Sequence, residues 1–294
     1  KPVVDIPIPG EPNGLALSAD GKTLYVAERK AHAVAVVDTA GRRLSGRIPV
    51  GLWPVAVTLA PKGNRLYTCN RGDHSVSIVD VASGKEVHRV AVVREPSCAA
   101  VTPDGSRVVV TNLLPHGAGT DGALAAEVSI VAAGAPGPAT TGRGFAGCAT
   151  VKLSPGSTVV RGCCTSPDGR WAYVVHTLGK FNLPITQLER GWVHTYALSI
   201  LDVPAGKRLA TLLLDDLTGG AADPWGIVRS ADGKTLWISH SGVHEVSCVK
   251  IGRVHELLAG KVPDEVAKTN DGFRENVWVR IARDRAQTER RTNR

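Results

Sequence analysis

An all-β chain built from repeated four-stranded antiparallel sheets is predicted by three observations: an internal repeat, the turn-rich composition, and strand alternation inside each repeat. The composition comes first because it bounds the rest. The 294 residues are 43% hydrophobic, enough to bury a sizeable core, and 32 Gly and 18 Pro stand against three Phe and four Tyr. Many tight turns joining short Val, Ala, Leu and Ile strands give that balance, whereas long helices do not.

The repeat is found by laying the chain on itself. LALSADGKTLYVAE at 15 to 28 returns as VTLAPKGNRLYTCN at 57 to 70, AVTPDGSRVVVTN at 100 to 112, CTSPDGRWAYVVH at 164 to 176 and VRSADGKTLWISH at 228 to 240. Their turn glycines, Gly21, Gly63, Gly105, Gly169 and Gly233, are 42, 42, 64 and 64 residues apart, so the last two intervals carry insertions. A period near 42 with this texture is that of a β-propeller blade. Each copy begins with an apolar strand A, a turn of Asp-Gly or Lys-Gly type that supplies the left-handed backbone of a tight hairpin, and an apolar strand B. Strand C follows as VAVVD (34–38), VSIVD (76–80), LSILD (198–202) or VSCVK (246–250), and a turn such as Ala-Ser-Gly-Lys at 82 to 85 leads to an outer strand D such as EVHRVAVV (86–93). Such blades bury their faces on their neighbours and are not stable alone. A small residue recurs on strand A, at Gly14, Ala56, Cys98, Gly162 and Gly226, where it fits the crowding of the innermost strands; the alternative reading is that these residues line a substrate tunnel.

These residues carry a resemblance. DGKTLYVAE, SVSIVD and the Ala-Ser-Gly-Lys turn resemble the YVTN-repeat family of seven-bladed propellers, over residues 1 to about 260. NLLPHG (112–117), LPITQLERGW (183–192), LLLDDLTGGAADPWG (212–226) and HSGVHE (240–245) resemble a bacterial subgroup of it that is often joined to di-haem cytochrome c peroxidase-like domains. The resemblance implies a periplasmic redox setting, a cytochrome or di-haem peroxidase-like partner, and seven blades. Five blades are recognisable, so residues 1–263 are assigned to the propeller and 264–294 to a charged tail or the start of a further blade or linker. Residues 3 to 8 read as an outer strand that would complete the last blade of a closed ring; either two further blades follow residue 294 in a longer chain, the favoured reading, or the ring closes with fewer blades than the family uses.

Composition also excludes function classes. The net charge of +8 comes from 35 basic and 27 acidic residues scattered through turns, with no interleaving of basic and aromatic residues that nucleic acid would call for. Nothing resembles a transmembrane run. Lys1 as first residue and the lack of Met are read as a mature periplasmic or secreted form with its signal peptide removed. Cys69, Cys98, Cys148, Cys163, Cys164 and Cys248 form no CxxC or CxxCH, so no covalent c-type haem belongs to this chain. They read as buried fillers, with a Cys69–Cys98 disulfide left open. Nucleophile-elbow, phosphate-loop, zinc-protease and dinucleotide signatures are lacking, and no catalytic residue is assigned.

In antiparallel blades the B–C turns share one edge with the links between blades. His32, His74, His116, His176, His194, His240 and His244 all map to that edge. Glu28, Asn70, Asn112, His176 and His240 end the five B strands and are the ligand-binding candidates for a polar mouth. His176, His240 and His244 are the candidates for a divalent copper, zinc or calcium ion. The long B–C loops, near 113–127 and 177–196, place a docking surface on the same edge: Gln187, Glu189, Arg190, Trp192 and His194, with Trp53 and Trp225 from the links. Two functions follow. One is a binding and scaffold module that docks a haem or redox protein or domain. The other is a lactonase- or lyase-like enzyme, or a metal-binding propeller, that uses the mouth histidines with Glu28.

Overall fold

The computed structural model describes residues 4–115, 117, 124–134, 147–179, 194–215 and 221–261. The expected tail at 264–294 lies outside the described residues, as do His116, Gln187, Glu189, Arg190 and Trp192.

All five repeats fold as antiparallel sheets in chain order. The first is β1 (Pro12–Leu17), β2 (Thr23–Glu28), β3 (Ala33–Asp38) and β4 (Arg43–Pro49). The second is β5 (Pro54–Leu59), β6 (Arg65–Asn70), β7 (Ser75–Asp80) and β8 (Lys85–Ala91), and the third β9 (Pro96–Val101), β10 (Arg107–Asn112), β11 (Glu127–Ala132) and β12 (Cys148–Lys152). The fourth is β13 (Ser157–Thr165), β14 (Trp171–Gly179), β15 (His194–Asp202) and β16 (Lys207–Leu213). The fifth has three described strands, β17 (Pro224–Arg229), β18 (Thr235–His240) and β19 (Glu245–Lys250), followed by helix α1 (Ile251–Leu258). Residues 4–8 pair with no strand, contrary to the expected outer strand; Ile6 and Ile8 instead pack against Val26, Ala35 and Val37 of the first sheet. No helix among the described residues is long and apolar enough to cross a membrane.

The chain divides into two compact units. One, Lys1–Leu114 with Glu127–Val151, carries the first three sheets; the other, Pro115–Ala126 with Lys152–Arg294, carries the fourth and fifth. In the first unit Tyr25, Val34 and Ile48 pack face to face on Val57, Leu66 and Val79 of the next sheet. Tyr67, Val76 and Ile78 pack likewise on Val108, Val110 and Val131. In the second unit Tyr173, Leu198 and Ile200 meet Leu236, Ile238 and Val249, with Val254 and Leu257 of α1 closing the cluster.

Local sequence explains the hairpins. The turn glycines take φ of 69° to 72°, and the Asp before the glycine accepts from the Ser or Thr two residues earlier, as Asp20 does from Ser18 (2.6 Å) and Asp104 from Thr102 (2.5 Å). These donors hold the Asp104 carboxyl low, at about 2, with Ser106 contributing most. The small residues on strand A do what their repetition implied. A Cβ at Gly14 would lie 2.7 Å from Ala56 Cα, and one at Gly162 2.9 Å from the Trp225 carbonyl oxygen, so adjacent innermost strands approach to backbone contact.

Candidate functional site

The edge that bears the B–C turns is built by a repeated hydrogen-bonding device. The seventh residue after each turn glycine, on strand B, is fully or almost fully buried in all five sheets: Glu28, Asn70, Asn112, His176 and His240. In four sheets its side chain meets a strand C serine. Asn70 Nδ2 donates to Ser77 (2.8 Å) and Ser75 (3.0 Å), and Asn112 Nδ2 to Ser129 (3.0 Å) and the Glu127 carbonyl (2.8 Å). His176 Nε2 lies 2.8 Å from Ser199 Oγ, and His240 Nε2 2.8 Å from Ser247 Oγ. In the first sheet Ala35 replaces the serine. The buried Glu28 carboxylate instead accepts from Arg47 of β4, Nε to Oε2 at 2.6 Å and Nη2 to Oε1 at 3.2 Å.

Backbone closes over these groups from the link between blades. A Cβ at Gly10 would meet the Glu28 Cβ at 2.8 Å, and one at Gly51 the Asn70 Nδ2 at 2.4 Å. The Gly51 N–H also donates to Ser77 Oγ (3.2 Å), and the Ala221 carbonyl lies 3.2 Å from His240 Nδ1. The five positions are therefore interior clips that tie strand B to strand C and, in several blades, to the link, rather than solvent-facing groups of an open mouth. Burial drives the His176 imidazole down to about 4, so it is neutral in the fold.

The B–C histidines divide by role. His32 (φ 51°), His74 (φ 54°) and His244 (φ 55°) occupy one left-handed turn position. Nδ1 of His32 accepts from the Trp53 N–H (3.2 Å), and Nδ1 of His74 from the Glu95 N–H (3.1 Å), so each fastens its turn to the following link. His244 is exposed, as is His194 at the start of β15. Among the described residues no three His, Cys, Asp or Glu side chains gather as a metal site. The cysteines are held as thiols. Burial pushes Cys69 far up and Cys148 up to about 11, which removes both as nucleophiles near neutral pH.

Trp53 and Trp225, from the links, are exposed. Arg29 lies 5.3 Å above the Trp53 ring, and Arg161 lies 4.0 Å above Trp225 with its Nε 3.7 Å from Asp223. Sequence reasoning found the tryptophans and missed their arginines, as it missed the strand C serines. The serines had a signal, since VSIVD, EVSIV, LSILD and EVSCV repeat them in register. On the opposite edge a cavity of about 240 Å³ opens beside Pro61, Arg65, Tyr67, Asp104 and Ala133. Arg65 is engaged by Asp80 (2.9 Å), and the Tyr67 hydroxyl donates to the Ala133 carbonyl (3.2 Å).

The sheets, their registers and their face-to-face packing decide the fold. The chain is a β-propeller. The family described as "Lactonase, 7-bladed beta-propeller" matches residues 9–103. Hydrazine synthase subunit beta of Kuenenia stuttgartiensis is 31% identical over 115 residues, 39% of this chain, and the match spans 30% of that relative's length. The solved hydrazine synthase of Kuenenia stuttgartiensis superposes with a TM-score of 0.74 at 24% identity, over 93% of this chain and 72% of that one. The Cps50 (Swd1) β-propeller domain of Myceliophteria thermophila superposes with a TM-score of 0.58 at 11% identity, over 89% of this chain and 69% of that one.

Proposed function

We propose that this propeller is a non-catalytic binding and scaffold subunit of a periplasmic or secreted redox assembly, docking a haem protein or haem domain along the edge that carries its links and long B–C loops. The observation that carries this reading is what that edge does with its polar groups. The residues suited to chemistry are buried and committed to interior hydrogen bonds, while exposed Trp53 and Trp225, each under an arginine, are the side chains typical of protein-binding anchors. The similarity to a hydrazine synthase subunit supports membership in a multi-protein complex, and the resemblance to propellers joined to di-haem domains supports the haem partner and the exported setting. The sequence reading adds Gln187, Glu189, Arg190, Trp192 and His194 of the long loop as docking candidates, of which His194 is described and exposed.

The test is binding of a purified di-haem c-type peroxidase domain, followed by co-sedimentation at the haem absorbance. Micromolar binding is expected, with Trp53→Glu and Trp225→Glu each weakening it about tenfold or more while the far-ultraviolet circular dichroism stays unchanged. No binding by the native chain, or equal binding by both variants, overturns the proposal.

A second reading has one specific support, the lactonase description of the family matching residues 9–103. In that reading Glu28, His176 and His240 leave their clips to bind substrate or a divalent copper, zinc or calcium ion. Elemental analysis of the purified chain and a lactone-hydrolysis assay decide it: stoichiometric metal or turnover that is lost in His176→Ala/His240→Ala favours the enzyme.

A further inference from the structure

Helix α1 stands where three of the other sheets turn. After strand C the first, second and fourth sheets make a tight turn on Asp38, Asp80 and Asp202, each accepting from a main-chain N–H two or three residues on. After β19 the chain continues instead as α1. Ile251, Val254 and Leu257 bury α1 in the cluster that contains Tyr173, and His255, beside Val254, is thereby brought over β14 of the fourth sheet. Its Nε2 lies 2.8 Å from the Tyr173 hydroxyl, and its ring centroid lies 5.3 Å from that of Trp171, two residues earlier on the same face of β14. Trp171 is half-buried, with the exposed Arg170 lying 4.4 Å above its ring.

The second sheet supplies a comparison inside the same molecule. Tyr67 is the counterpart of Tyr173, each standing four residues after its turn glycine, and both are fully buried. The Tyr67 hydroxyl donates to the Ala133 carbonyl at 3.2 Å, a partner that takes up no proton, whereas an imidazole nitrogen does. Burial pushes the Tyr173 phenol far above its ordinary value, with Cys164 and Asp168 adding to the effect and Arg229 opposing it, so simple proton loss does not occur near neutral pH. Burial also lowers His255, with Asp168 opposing and Arg170 adding, so its imidazole is neutral there and has a lone pair to offer. A buried phenol held against a neutral base is arranged to lose an electron and a proton together, as a phenol held against a carbonyl is not.

We propose that Trp171, Tyr173 and His255 form a one-electron relay that leads from the surface into the fourth sheet. An outer-sphere oxidant carrying a high-valent metal centre takes one electron from Trp171 and leaves an indole radical cation. Tyr173 passes one electron to that indole and restores it, while the hydroxyl proton moves to His255 Nε2, over a distance within the reach of direct proton transfer. The O–H bond breaks and an N–H bond forms. The products are a neutral tyrosyl radical beside an imidazolium, and an oxidant reduced by one electron. Neighbouring charges favour this direction, because Arg170 disfavours a positive charge on Trp171 and Asp168 stabilises the imidazolium. The relay lies towards the A–B turn of its sheet, separate from the tryptophan-bearing edge assigned to the redox partner.

Photogenerated tris(bipyridine)ruthenium(III), acting on the full chain, tests this, with the tyrosyl radical read by transient absorption and by electron paramagnetic resonance of frozen samples. The native chain is expected to give a tyrosyl radical that Tyr173→Phe abolishes and Tyr67→Phe leaves unchanged. His255→Gln, whose amide oxygen can still accept from Tyr173 but does not take its proton, should slow radical formation about tenfold or more. Trp171→Phe should slow it as well and leave the radical on Tyr173. Circular dichroism with thermal unfolding confirms that each variant is folded. No tyrosyl radical in the native chain, a native yield in Tyr173→Phe, or native rates in His255→Gln or Trp171→Phe overturns the proposal. The oxidant is a small complex and no haem protein is present, so failure here leaves the docking proposal standing, and failure of docking leaves the relay standing.

Discussion

At the scale of single residues, the same backbone position solves one problem in two chemistries. A polar side chain that ends strand B is enclosed by its own sheet and, in several blades, by the link backbone, and a group so enclosed must find partners or cost stability. Asn70, Asn112, His176 and His240 take a strand C serine; Glu28, facing Ala35, takes Arg47. His176 makes this measurable through pH. Its folded value is lowered to about 4, first by burial and also by Arg208, against the raising effect of the Thr177 carbonyl. Because the unfolded chain binds that proton near pH 6.5 and the fold resists it, acid favours the unfolded chain. The contribution is complete above pH 6.5, declines as pH falls, and is lost by about pH 4. Urea unfolding should therefore show the native chain losing about 2 kcal/mol more between pH 7.5 and pH 5 than His176→Asn, whose amide oxygen can still accept from Ser199 but which does not titrate. Equal losses in the two proteins would show that His176 is protonated in the fold.

At the scale of elements, turns and links follow a pattern that one residue violates. The entries to the five sheets share a left-handed position, occupied by Glu11 (φ 58°), Trp53 (φ 53°), Glu95 (φ 56°) and Asp223 (φ 55°) just before strand A and by Val159 (φ 53°) within β13, where the ladder is irregular between Thr158 and Gly162. A β-branched side chain is the least suited to that conformation, whereas Asn and Asp tolerate it. Val159→Asn is expected to raise stability by about 1 kcal/mol, read as a shift of the urea midpoint without a change of slope; a lower midpoint would mean that packing of the valine outweighs its backbone strain. This position also shows what sequence could and could not reveal. The five hairpins were legible because Asp-Gly and its variants repeat at fixed offsets, and the close approach of strands A was legible from Gly14, Ala56, Cys98, Gly162 and Gly226. The enclosure of Glu28 and Asn70 was not, because it depends on Gly10 and Gly51 of the links lying against them, which is a tertiary relation with no local signature. For the same reason the histidines looked like one rim, although His32 and His74 accept link N–H groups, His176 and His240 are interior, and His194 and His244 face solvent.

At the scale of the molecule, stability should be graded along the blades, because a sheet covered on both faces opens less readily than one covered on a single face. The second sheet buries Tyr67 and Cys69 on one face and Leu66 on the other, all within 1% of full burial. The fifth sheet buries Leu236 and Ile238 on one face and leaves Trp237 and Val246 exposed on the other, and it has three described strands where the second has four. Opening β18 therefore exposes less new apolar surface than opening β6, and less of the hydrophobic driving force opposes it. Native-state hydrogen exchange should show the amides of Leu236–Ser239 exchanging through smaller openings than those of Leu66–Cys69, by a factor of at least about 100 in protection, or about 3 kcal/mol. Uniform protection across β6 and β18 at micromolar concentration would mean that the Trp237 face is covered within the monomer. Protection in β18 well below that in β6 would mean that the Trp237 face is open in solution.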